Sequence, residues 1–110
     1  MSDELPLPNP QLNFSREKLE QFCRKWKITE LSFFGSVLRE DFRPDSDVDV
    51  LVTFDPKSRW GLVDWENMES EARAIFGRKV DMVPRDSIER SRNPRRRREI
   101  LNTARRIYAA

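Results

Sequence analysis

Histidine is absent from this 110-residue chain, and cysteine occurs once, at Cys23. Without histidine there is no imidazole base and none of the usual Cys/His zinc sites, and a lone cysteine closes no intramolecular disulfide. No apolar run approaches the roughly 20 residues that cross a bilayer, so no membrane contact is expected and the chain reads as cytoplasmic. Charge of one sign is lacking too. The 21 basic and 19 acidic residues leave a net charge of +2, which gives no global pull toward nucleic acid. Nor does the length allow two large cores, so one site must do most of any chemistry. There is no internal repeat. What remains is a composition of 37% hydrophobic and 36% charged residues, that of a small globular domain with a heavily charged surface.

The first residues carry Pro6, Pro8 and Pro10 and little that is apolar. Residues 1–13 therefore read as an extended or mobile arm ahead of one domain, 14–110. Ser15 is placed as an N-cap, with Leu19, Phe22, Cys23 and Trp26 on one helical face. Leu31 to Ser36 reads as a strand ending in a tight Gly-Ser turn. Polar residues around Pro44 lead into Asp47 to Phe54, which alternates with period two: Val48, Val50, Val52 and Phe54 face one way, Asp47, Asp49, Leu51 and Thr53 the other. Leu62, Trp65, Met68, Ala72, Ile75 and Phe76 share a helical face, and Gly77 ends that helix in the left-handed conformation. Lys79 to Val83 is a short strand with Asp81 opposite Val80 and Met82, closed by Pro84. Asp86 is placed to cap a short helical turn, and Asn93-Pro94 opens a final helix with Ile100, Leu101, Ala104, Ile107 and Tyr108 inward.

An Asp-x-Asp pair is weak evidence by itself, since most such pairs are solvated. Here it opens a strand whose other face is apolar, and a strand-helix-strand unit that returns parallel brings Asp81 to the same end. Two like charges about 5 Å apart repel by roughly 3 kcal/mol at an effective dielectric near 20. Protonation or an arginine could relieve this, but carboxylate oxygens completed by phosphate and water are the surroundings magnesium prefers. An antiparallel first strand would bring Gly35 and Ser36 beside the pair. Glycine there lets the backbone approach a phosphate, and the hydroxyl and amides can donate to it.

Gly-Ser, ten intervening residues and Asp-x-Asp, within FGSVLREDFRPDSDVDVLVTF, resembles the DNA polymerase β-like nucleotidyltransferase superfamily. The likeness is greatest to its minimal nucleotidyltransferase branch, the MntA-type antitoxins, and runs from about Leu31 through KVDMV to NPRRRREILNTARRIYAA. It implies an α+β fold, a small mixed sheet of about three strands with helices packed on one face. It implies further that Asp47 and Asp49 hold magnesium, that Asp81 completes a second metal position and helps deprotonate the acceptor, and that Gly35 and Ser36 hold the triphosphate of ATP. Arg39 resembles an arginine that follows Gly-Ser in many relatives, and either touches phosphate or braces the acidic loop by pairing with Glu40, Asp41 or Asp45. The resemblance also implies an enzyme that is the antitoxin to a HEPN-domain toxin ribonuclease, neutralising it by transferring AMP to a toxin tyrosine.

Two other functions compete. One is nucleotide transfer to a small alcohol such as an aminoglycoside, disfavoured because no added helical domain is present to form the acceptor pocket. The other is a binding-only antitoxin, disfavoured because all three aspartates are retained. Arg95 to Arg98 invite an RNA-binding reading, yet four consecutive arginines on a helix point four ways, and a solvated face is preferred to direct nucleic-acid binding. Trp26 and Trp65 fit core positions, which leaves Trp60 as the tryptophan for adenine or a partner. Cys23 sits on an apolar helix face and is expected to be inert.

Overall fold

The computed structural model describes residues 12, 14–39, 43 and 45–110. The arm expected over 1–13 lies outside the described residues except for Leu12, which is fully buried. Helix α1 (Arg16–Lys25) opens on Ser15, whose hydroxyl accepts from the Lys18 amide at 3.2 Å, and buries Leu19, Phe22 and Cys23. Strand β1 (Ile28–Phe34) runs into a 3₁₀ turn, Gly35–Leu38. Then come β2 (Val48–Phe54), α2 (Leu62–Phe76), β3 (Val80–Pro84), a short α3 (Arg85–Glu89), α4 (Pro94–Thr103) and β4 (Arg105–Ala109). The strand order is β3-β2-β1-β4. β1 is antiparallel to both β2 and β4, whereas β3 is parallel to β2 because the α2 crossover returns the chain to the same end.

The alternation in β2 divides the molecule into layers. Val48, Val50 and Val52 join Leu31, Phe33, Val80 and Met82 beneath Leu19, Phe22, Met68, Ala72 and Phe76 of α1 and α2. Each large apolar side chain buried there contributes about 1.5–3 kcal/mol. On the other face Phe34 and Leu51 form a smaller cluster with Ile88 of α3 and Ile100 of α4. The two helical layers are thus on opposite faces, not on one face as the sequence led us to expect. The cause is Leu51, an apolar residue on the aspartate face that also needs cover.

The α+β class stands, with four strands instead of about three. The expected final helix is the source of the difference: it stops at Thr103, Ala104 is extended (φ −57°, ψ 137°), and Arg105–Ala109 form β4 along β1. Ile107 falls at helical spacing from Ile100, but five residues cannot separate period 3.6 from period 2. The unpaired edge of β1 together with Ile107 and Tyr108, both strand-favouring types, decides for the sheet. Asp86 does not cap α3, whose N-cap position is Pro84; it lies in the first turn and pairs with Arg90 at 3.5 Å. No helix among the described residues is long and apolar enough to cross a membrane.

Gly77 ends α2 as expected, at φ +71°, and its amide donates to the Arg73 carbonyl at 2.8 Å. An added Cβ would meet no atom within 4 Å, so only backbone strain opposes a side chain here. Gly77→Ala is expected to cost about 1 kcal/mol, measured by chemical denaturation, and to leave any activity unchanged.

Candidate active site

The site is built where β1 ends and β2 and β3 begin. The Val48 amide donates to the Lys79 carbonyl at 2.9 Å, which fixes where β2 meets the segment entering β3. In the resulting register Asp49 lies between Phe34 on β1 and Asp81 on β3. Neighbouring strands are about 4.8 Å apart, so the Asp49 and Asp81 carboxylates leave the same face side by side. Asp47 is exposed one residue ahead of β2, and Lys79 Nζ comes within 3.9 Å of its Oδ2.

Directly after Phe34 the chain turns at Gly35 with φ +77°. A Cβ at this glycine would lie 2.5 Å from Asp49 Oδ2, inside van der Waals contact. The backbone of the turn is therefore laid against the carboxylate at a distance only glycine allows. Ser36 Oγ is 3.5 Å from the Asp47 carbonyl oxygen, and the Arg39 amide closes the turn on the Ser36 carbonyl at 2.9 Å. Of the acidic residues considered as braces for Arg39, Glu40 and Asp41 lie outside the described residues.

Electrostatics single out Asp49. Burial raises its pKa above the ordinary carboxylate range, the negative charges of Asp81 and Asp47 raise it further, and Arg39 and Arg96 act in the opposite direction. Arg96 is exposed, as expected of a solvated helix face, and the structure adds that its charge reaches Asp49. The signal that could have found it is its position four residues before Ile100, which puts both on one face of α4. Lys79 beside Asp47 is a further addition of the structure: it is the residue just ahead of β3, at the end of the sheet to which the strand-helix-strand unit returns.

The remaining residues singled out lie elsewhere. Trp60 packs edge-on against Trp26, with centroids 5.2 Å apart, and lines a cavity of about 480 Å³ with Phe54, Trp65 and Pro84. This is the far end of β2, five residues and roughly 17 Å from Asp49 at about 3.3 Å per residue, so Trp60 is not beside the aspartates. Cys23 is fully buried, and burial, with the Glu20 charge adding and Arg24 opposing, pushes its thiol up to about 12. It is inert at neutral pH.

Among the described residues no three carboxylate or thiol groups enclose a metal position by themselves. Magnesium seldom requires such a cage: it is commonly held by one or two carboxylates together with substrate phosphates and water. Crowded carboxylates, with the Asp49 pKa raised first by burial and then by the neighbouring charges, next to a glycine turn open to an anion, fit a magnesium–nucleotide complex in donor chemistry.

Residues 15–107 match the model of the nucleotidyltransferase domain family, and the chain belongs to that family. A protein of Methanocaldococcus jannaschii provisionally named a protein adenylyltransferase is 35% identical over 65 residues, which cover 58% of this chain and 63% of the relative. Protein adenylyltransferase MntA of Thermococcus cleftensis is 30% identical over 70 residues, covering 64% of this chain and 69% of the relative. The chain thus spans about two thirds of the length of these curated relatives. Among solved structures, one provisionally described as a minimal nucleotidyltransferase superposes with a TM-score of 0.61 at 29% identity, over 84% of this chain and 87% of the other. A toxin–antitoxin structure with AMP-PNP superposes with a TM-score of 0.63 at 16% identity, over 86% and 73%; this second likeness is one of fold.

Proposed function

We propose that this chain is the antitoxin of a toxin–antitoxin pair and acts as a magnesium-dependent protein adenylyltransferase, moving AMP from ATP to a tyrosine of a HEPN-domain toxin. The observation that carries the chemistry is the Gly35 backbone lying against Asp49, with Asp81 beside it in register. The similarity to MntA and to a toxin–antitoxin structure containing AMP-PNP supports the donor and the partner; HEPN identity and the tyrosine rest on the family resemblance.

In this reading Asp47 and Asp49 hold magnesium with the triphosphate, and Asp81 completes the second metal position. When bound, magnesium supplies Lewis-acid stabilisation of the phosphates and lowers the pKa of the attacking hydroxyl. Gly35 leaves room for the triphosphate, and the Ser36 hydroxyl and neighbouring amides donate to its oxygens. Arg39 adds positive charge at the same edge. The tyrosine oxygen forms a bond to the α-phosphorus, the bond from that phosphorus to the oxygen bridging to the β-phosphorus breaks, and pyrophosphate leaves. Asp81 receives the hydroxyl proton. No imidazole is needed, in keeping with a chain that has none.

The test is to incubate the chain with the product of the adjacent reading frame, ATP and magnesium, and to weigh both proteins intact. The partner is expected to gain adenylyl mass, and to gain none with an Asp47→Asn chain. A partner that is neutralised without gaining mass would establish a binding-only antitoxin and overturn the enzymatic reading.

A further inference from the structure

The arginine-rich stretch 95–98 is not absorbed by the function proposed above, and the fold treats its four members differently. Helix α4 delivers the chain to Arg105, opposite Phe33 on β1. One turn before its end, Ile100 is buried with Phe34 and Leu51. Arg96 is four residues earlier on the same face, about 6 Å further along the helix axis. α4 packs against α3, which itself lies against β2 and β3, and Ile88 and Ile100 share their cluster with Leu51 on the face that carries Asp49 and Asp81. Arg98, by contrast, lines a shallow surface with Arg95, Glu99, Asn102 and Thr103, away from the buried cluster. Arg97 is committed locally, with Nη1 donating to the Ser91 carbonyl at 2.7 Å.

Resting on the nucleotidyltransferase reading, we propose that Arg96 binds the β- and γ-phosphates of the nucleoside triphosphate and stabilises the pyrophosphate as it leaves. Its side chain is exposed, within reach of an anion arriving from solvent. It begins from the second side of the aspartate group: Arg39 follows the glycine turn from β1, while Arg96 comes from the opposite helical layer. A triphosphate that brings four negative charges to a face already holding three carboxylates needs cations from more than one side, and a planar guanidinium can hold two phosphate oxygens at once. An arginine aimed at the acceptor protein instead would not distinguish a triphosphate from a monophosphate.

The experiment is calorimetric binding, in magnesium, of AMP and of an ATP analogue that cannot be cleaved between its α- and β-phosphates. Arg96→Ala is expected to weaken the analogue roughly tenfold, the scale of one lost charge-assisted contact, and to change AMP affinity less than twofold. Arg96→Lys should recover part of the loss, and Arg98→Ala should bind as the unsubstituted chain does. Unchanged analogue affinity in Arg96→Ala, an equal loss for AMP and the analogue, or an equal loss in Arg98→Ala would each overturn the assignment while leaving the nucleotidyltransferase reading intact. An unsubstituted chain that binds neither nucleotide overturns that reading, and the role of Arg96 with it.

Discussion

An Asp49→Asn chain should lose nucleotide transfer by roughly 10³-fold or more and yet melt at a higher temperature than the unsubstituted protein when no metal is present. The loss follows from the position of Asp49 between the Gly35 turn and Asp81, where it is the carboxylate closest to the proposed triphosphate cradle. The gain follows from the sign of its titration. Its folded pKa lies above the ordinary value, through burial first and then the charges of Asp81 and Asp47. The folded state therefore holds the proton more tightly than the unfolded state. Stability falls as pH rises from the ordinary carboxylate range through the raised folded pKa, the reverse of an ion-paired aspartate. Asparagine cannot ionise, so its advantage is full above that window and absent below the ordinary value. Asp49 is only half-buried, and solvent screening keeps the difference to a few degrees at most. Thermal melts at pH 3 and pH 7 check this: a stabilisation of the same size at both, or a lower melting temperature at pH 7, would sink the electrostatic account. Adding magnesium and ATP should stabilise the unsubstituted chain and leave the variant nearly unmoved.

How much of this was legible in the sequence depends on whether a residue's partner is local. Ser15 as N-cap, Gly77 as helix end and the parity that separates Val48 from Asp49 are decided within a few residues, and each is found where expected. The strand-helix-strand unit is a longer inference, but handedness and the length of α2 leave few ways to return, and Asp81 falls opposite Asp49. Residues 105–109 were misread because what makes them a strand is the open edge of β1, some seventy residues earlier in the chain. Arg96 was missed for the same reason. Its helical spacing was visible, whereas the face on which α4 would lie depended on Leu51 needing cover. Trp60 was open to a nucleotide role because a loop tryptophan has no periodicity to betray its partner, which is Trp26.

Gly35→Ala is expected to reduce transfer about 100-fold or more while leaving a folded protein. Two effects combine. A side chain at φ +77° costs roughly 1–2 kcal/mol of backbone strain, and its Cβ would start 2.5 Å from Asp49 Oδ2. The carboxylate terminates a short flexible side chain, so the clash is relieved by moving Asp49 aside by roughly an ångström, not by unfolding the turn. A displacement of that size at a reacting centre is enough for a loss near 10²-fold, and the new methyl would also occupy space proposed for the triphosphate. Gly77→Ala separates the two effects, since it carries the same backbone strain with no atom near its Cβ. The pair should therefore lose similar stability in denaturant titrations, with the larger loss in Gly35→Ala, while transfer collapses only in Gly35→Ala. Should Gly35→Ala transfer nucleotide at the unsubstituted rate, the close approach of the turn to Asp49 would be a feature of folding alone, and the nucleotide would have to lie elsewhere on the aspartate face.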